Sequence, residues 1–296
     1  MRKSRQIILS AYYYATAPPR MARNALLAAR GRAPVCIGTF HRIADDDANA
    51  WTTSRAEFRH AVEWLQARFE LISLGEAQRR IAAADNSRTA FALTFDDGYA
   101  ENCEWALPWL LEQGVPFTYF VTSDPALRGG YFQHDLAMGN RFPANTVAQL
   151  RELAGHELVE IGGHTRTHAN LGAIDDPQRL FDEVIRSSDE LAQAVGSRVE
   201  RFAFPFGQHQ NLNGQVFSLL SAHGFTAACS AYGGYNFAGD DVFHLQRMCC
   251  DGPAIKTKNF VAIDPYKQWA IPRYAYPSRG PTSDEAALRT GEAARE

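Results

Sequence analysis

Thr94-Phe95-Asp96-Asp97-Gly98 is the stretch on which the fold turns. An apolar run over residues 91–95 stops there at two adjacent carboxylates and a glycine, the pattern of a buried strand that ends in a turn. Further on, His164-Thr165-Arg166-Thr167-His168 follows Gly162-Gly163 and sets two imidazoles four positions apart. Phe204-Pro205-Phe206-Gly207 closes a third apolar run, and His41 stands just past a fourth, over residues 35–40. Each of these groups lies at the downstream end of a short apolar run. In parallel α/β folds that end of the strands carries the chemistry.

Working outward, residues 35–40, 69–74, 91–95, 115–121, 158–161, 201–204 and 225–229 read as strands. Helical patterns separate them: from an N-cap at Ser54, with Glu57 at capping-box spacing, to Arg68; then 75–84, 99–113, 146–154, 175–195 and 212–222. Gly114 and Gly196 close two of these helices. Roughly seven β-α repeats favour an α/β barrel over an open sheet.

A chain of 296 residues with 46% apolar content can bury a large core in one α/β domain. The formal charge of −3 gives no basic excess pointing to nucleic acid as partner. Five scattered cysteines without a CxxC pair argue against a disulfide scaffold and for reduced thiols, hence a cytoplasmic protein. Residues 1–33 are set apart: Arg2, Lys3 and Arg5 precede a short apolar run containing Tyr12, Tyr13 and Tyr14, and Arg20, Arg23, Arg30 and Arg32 follow among alanines and leucines. This is a basic amphipathic helix rather than a secretory leader. It either packs on the domain surface or lies on the inner, anionic face of a membrane. No run reaches the length of a membrane span. The expected organisation is this segment, a barrel over residues 34–276, and a disordered tail over residues 277–296 rich in Ala, Glu and Arg.

A metal that activates water needs ligands that fix it and an open position. Taken alone, an Asp-Asp-Gly turn is ordinary helix-capping chemistry, and an HxxxH pair is often surface. In this order on successive strand ends they offer a ligand set: Asp97, with His164 and His168 on one side if that segment turns helically. Asp96, diverging from Asp97 at the end of a strand, is left as a general base.

These motifs, TFDDG, HTRTH and RFAFPFG, resemble the polysaccharide deacetylases, the NodB-homology family of carbohydrate esterase family four, over residues 35–247. The resemblance implies a distorted (β/α)7 barrel and metal-dependent removal of acetyl groups from an N-acetylated sugar. It implies Asp96 as base, with Asp97, His164 and His168 holding a divalent metal, usually Zn2+. The family commonly carries an arginine where this chain has Ala203, and the nearest arginine is Arg201. No histidine follows His244, where many members place their acid. The segment Gly38-Thr39-Phe40-His41-Arg42-Ile43 instead resembles the permuted subgroup that includes poly-N-acetylglucosamine deacetylases, which implies His41 as the acid, with His244 as the fallback. Phe204, Pro205 and Phe206 are expected to wall a groove or to pack the barrel. Tyr131, in the loop with His134 and Asp135, is expected to face sugar. The substrate would be an N-acetylated polysaccharide or lipid-linked oligosaccharide. Two alternatives remain: a deformylase or other amidase acting on a lipid-linked aminosugar, and a non-catalytic carbohydrate-binding barrel, suggested by the missing arginine.

Overall fold

A computed structural model of the protein describes residues 3–277, so nearly all of the tail expected to be disordered lies outside the described residues. The strands are β1 (Val35–Phe40), β2 (Arg42–Ile43), β3 (Thr52–Thr53), β4 (Glu70–Ile72), β5 (Ala90–Phe95), β6 (Phe117–Val121), β7 (Val159–Gly163), β8 (Arg201–Ala203), β9 (Ala227–Ser230), β10 (His244–Gln246) and β11 (Met248–Cys249). The helices are α1 (Lys3–Ala28), α2 (Arg55–Gln66), α3 (Leu74–Ala82), α4 (Ala106–Glu112), α5 (Ser123–Arg128), α6 (Gln133–Leu136), α7 (Val147–Ala154), α8 (Pro177–Phe181), α9 (Ser187–Val195), α10 (Gly214–Ala222), α11 (Ile255–Val261) and α12 (Pro265–Ala270).

All strand pairings are parallel, in the order β10-β9-β8-β7-β6-β5-β1-β11. The two ends of that order are one stretch of chain broken at Arg247. Upstream of the break His244 pairs with Ala228 of β9, and downstream of it Met248 pairs with Gly38 of β1. Residues 244–249 therefore join the last strand to the first and close the barrel. β4 is a partial strand beside β5: it pairs with Ala90–Ala92 while β6 pairs with the other half, from Leu93 to Phe95. The expected distorted (β/α)7 barrel is the fold observed.

Period-two alternation sorts side chains between the barrel interior and the helix layer. Val35, Ile37, Ala90, Ala92, Ala203 and Ala227 form a narrow interior, while Phe40, Phe91, Phe95 and Phe117 pack outward against Phe58, Leu107 and Leu110. Small interior residues leave the barrel tight, and α3 seals the end where the strands begin. There Leu74, Ala77 and Ile81 join the interior cluster, and Gln78 Nε2 donates to the carbonyls of Thr226 and Val242. The same alternation continues beyond the strands and carries His41, in phase with Val35, Ile37 and Thr39, into the opposite mouth. Asp96 arrives there in phase with Ala92 and Thr94.

Three local departures from the sequence expectation have physical causes. Ser54 caps α2 by accepting from Glu57 N, but the Glu57 carboxylate is taken by Ala254 N rather than closing a capping box. The helix expected over 99–113 is a 3₁₀ turn, Ala100–Glu104, followed by α4. Buried Asn102 pulls this turn onto the rim, donating to the His41 carbonyl and accepting from Ile43 N. The long helix ending at Val195 contains a π turn, Asp182–Arg186, between α8 and α9. That widened turn lets the Glu183 carbonyl accept from Arg166 N in the loop after β7.

Candidate active site

Asp97 and its neighbours are held in a tight turn at the end of β5. Asp97 has φ 72°, a left-handed backbone that a non-glycine residue adopts at a cost, fixed by Gly98 N donating to the Asp96 carbonyl and Thr122 N to the Asp97 carbonyl. The loop after β7 is likewise constrained, with φ 65° at Thr165 and 61° at His168. It is not a helical turn, contrary to the geometry proposed for His164 and His168. The buried carboxylate of Glu183 holds it instead, accepting from the backbone nitrogens of Arg166 and Thr167 and from the Thr167 hydroxyl.

The strained turns bring three expected ligands together. Asp97 Oδ1 lies 3.4 Å from His164 Nε2 and 3.1 Å from His168 Nε2, yet it has no hydrogen-bond partner although buried. His164 Nδ1 sits 2.8 Å from the Ala203 carbonyl, to which it can donate only if it carries the ring proton. That leaves Nε2 as a lone-pair donor turned toward Asp97. A buried carboxylate oxygen without a proton donor, facing two imidazole nitrogens, fits a divalent cation. Burial alone would raise the Asp97 pKa, but His168, His164 and His41 hold it well below the usual carboxylate range. His41, Cys249 and Asp251 also lie close together, but the Lys256 ammonium, 3.6 Å from Cys249 Sγ, makes that a poorer cation site.

Asp96 is gripped by an arginine that the motifs did not reveal. Arg247, fully buried at the break between β10 and β11, donates from Nη1 and Nη2 to Asp96 Oδ1 and Oδ2 at 2.7 and 2.9 Å. Its remaining bonds go to Thr94 Oγ1 and the Ser230 carbonyl, and its guanidinium lies 5.0 Å from the Phe120 ring. Burial opposes ionisation of Asp96, but Arg247 and His164 bring its pKa below the ordinary value. Arg201, the nearest arginine in sequence, instead pairs with Glu160 at the opposite end of the barrel.

His41 is organised by the same segment. Asp251 Oδ1 accepts from the His41 backbone N, and Oδ2 lies 2.6 Å from Nδ1. Burial disfavours the charged imidazole, but Asp251, aided by Asp97 and Asp96, raises its pKa to about 10. His244 does not reach the mouth. It is fully buried in β10 with Nε2 on Ser230 Oγ, and burial with Arg273 nearby lowers its pKa to about 3.

The expected groove residues divide. Phe204 packs with Phe202 and Phe217 in a core cluster, and Pro205 is buried, so neither walls a groove. Phe206 is 51% exposed, with its ring 4.8 Å from that of His168. Tyr131 lines a cleft of ≈ 300 Å³ with Arg128, Leu136, Thr167 and His168. His134 comes closer than its loop context suggested: Nε2 is 3.7 Å from Asp97 Oδ2 and the ring centre is 4.4 Å from that of His168, the two planes tilted by 46°.

Residues 83–228 match the polysaccharide deacetylase family. The Bacillus subtilis (strain 168) chain YxkH, which carries the name of a polysaccharide deacetylase, is 24% identical over 57% of this chain. The chain spans 56% of YxkH and only 7% of a gellan lyase from Bacillus sp., to which it is also 24% identical. Among solved structures, IcaB from Ammonifex degensii superposes with a TM-score of 0.62 at 20% identity, covering 78% of this chain and 97% of that one. A de-N-acetylase from Aggregatibacter actinomycetemcomitans gives 0.60 at 21% identity, covering 77% and 99%.

Proposed function

We propose that this chain, a member of the polysaccharide deacetylase family through residues 83–228, is a metal-dependent N-deacetylase of the poly-N-acetylglucosamine type. The observation that carries the proposal is the buried Asp97 oxygen left without a donor between two imidazole nitrogens, with Asp96 beside it. Asp97, His164 and His168 would hold the cation, for which Zn2+ is our choice from the donor set. When bound, such a cation polarises an acyl oxygen and acidifies water.

The residues supply the rest. Asp96, kept ionised by Arg247, accepts the proton that water loses as it attacks the amide carbon. His41, kept protonated by Asp251, gives a proton to the departing nitrogen, so that amide and water become acetate and amine. Phe206, beside the His168 ring, and Tyr131, in the cleft that His168 also lines, offer exposed rings to a sugar face. A non-catalytic barrel loses its motive, because Arg247 occupies the role left open at Ala203. The five unpaired thiols favour a reducing, cytoplasmic compartment, where a precursor or lipid-linked oligosaccharide is the more natural substrate.

The test is acyl release from N-acetylglucosamine oligomers by chelated and by metal-reconstituted protein. Acetate that appears only after reconstitution is the expected result. Metal bound without acetate would overturn the substrate assignment, and formate from an N-formylated aminosugar would replace it with a deformylase.

A further inference from the structure

Helix α1 turns polar side chains inward beside Ala17 and Met21. A surface helix of a globular protein ordinarily buries its apolar face and shows its charges to water. Here the buried positions include Arg20 and Asn24, which bond to α11 and its end: Arg20 to the Asn259 carbonyl and Oδ1, and Asn24 to the Val261 carbonyl. Every exposed position over residues 7–28 is apolar or tyrosine. Ile7, Ile8, Tyr14 and Leu26 are each more than 60% exposed, and α12 beside them adds Tyr266 at 70% and Trp269 at 82%. The two helices share one surface, since Tyr12 bonds Asp264 and Arg23 bonds Gln268.

We propose that this surface docks on an anionic lipid bilayer, with α1 lying in the interface. Charge is the first argument for that occupant. Residues 1–44 carry eight basic side chains and no acidic one, although the chain as a whole is acidic. Around α12, the Asp264 carboxylate acts most strongly on Lys267, and the charges of Lys256, Arg20 and Arg5 also reach it. Cations flanking an apolar helix face, with Trp and Tyr at its edge, match the headgroup region of a bilayer. Depth is the second argument. Pro18 and Pro19 cannot donate to the carbonyls of Tyr14 and Ala15, which therefore need water or headgroup donors and keep the helix shallow. No described helix is long and apolar enough to cross a membrane.

The docking would also orient the barrel. Gln6 lies beside Ala56, Pro253 and Ala254, just past β3 and β11 at the catalytic mouth. Asn24 and Ala28 lie beside Phe69 and Thr89, where β4 and β5 begin. Helix α1 thus runs the height of the barrel, so docking lays the barrel on its side with the mouth opening along the bilayer. This inference stands apart from the deacetylase assignment, and the two fail in separate assays.

The test is flotation of the full chain with phosphatidylglycerol vesicles and with phosphatidylcholine vesicles, alongside Ile8→Glu/Leu26→Glu and Trp269→Glu variants. These positions are exposed, so the variants should keep the wild-type melting temperature and acetate release from soluble oligomers. Expected are binding to the anionic vesicles that weakens with salt, and a loss on the order of tenfold or more in the double variant. Failure to float with anionic vesicles, or flotation indifferent to the variants, would overturn the proposal. So would a dimer in sedimentation that the double variant dissolves, because a second copy would then be what covers the face.

Discussion

The two sides of the catalytic mouth are built in different ways. On one side the turn after β5 and the loop after β7 present Asp96, Asp97, His164 and His168 from short contiguous motifs, on left-handed residues at Asp97, Thr165 and His168. On the other side residues 244–251 hold one expected reacting group, the fallback acid His244, and it is buried on Ser230 away from the mouth. They supply Arg247 to Asp96 and Asp251 to His41. In the proposed mechanism the first region, together with His41 after β1, provides the groups that react, and the second holds Asp96 and His41 in charge and aim. The same stretch also closes the barrel, so closure of the fold and organisation of the base and acid are one structural event.

This division can be broken at its strongest point first. Arg247→Ala removes one partner of a fully buried pair and leaves the Asp96 charge uncompensated, which should cost about 3–5 kcal/mol of stability. Turnover should fall by about 10²- to 10⁴-fold, the range expected when a general base is lost. Arg247→Lys should recover stability better than turnover, because one ammonium cannot grip both carboxylate oxygens. Thermal melts and acetate assays on the two variants check this.

Asp251→Asn tests the acid side. Asp251 is the main group raising the His41 pKa toward about 10, so its loss should move the alkaline limb of the pH–rate profile to lower pH. The sign for stability follows from the same shift. A raised folded pKa contributes stability that is fully present below about pH 6.5, the unfolded value, and is lost as pH rises through about 10. The variant should therefore lose stability at neutral pH and little at pH 11, as urea melts across pH would register.

Glu183→Gln keeps the size of the group that ties down the His164 loop but weakens its grip on two backbone nitrogens and a hydroxyl. Metal affinity should fall by about 10- to 100-fold, read by competition with a chelating dye. Phe206→Ala should have the smallest effect. It removes a half-exposed ring beside His168, raising KM a few-fold while leaving metal affinity and melting temperature unchanged.

The same contrast governs what could be read without coordinates. The strands carrying Asp96 and His164 are short apolar runs with motifs at their ends, so chemistry and fold were legible together. Arg247 and Asp251 lie 151 and 210 positions from the residues they serve, and neither they nor Glu183 belong to a motif. A signal was present for the first two, since Arg247 and Asp251 flank Met248, Cys249 and Cys250 in a run that begins at His244-Leu245. A charge set in an apolar strand is rarely buried without a partner. Glu183 sits in an ordinary amphipathic pattern, and only the π turn brings its carbonyl and carboxylate onto the loop. For Phe204 and Pro205 both readings, groove wall and barrel packing, stay open in the sequence, because spacing does not decide whether a side chain at a strand end points into the mouth or into the core. The structure buries both.

The most direct test of this account is bound metal and acetate release measured together on the Asp96→Asn protein. Wild-type metal content is expected, because Asp97, His164 and His168 are untouched, with turnover reduced by at least about 10²-fold. Wild-type turnover in Asp96→Asn, or loss of the metal along with activity, would contradict the assignment of Asp96 as the base and Asp97 as the ligand.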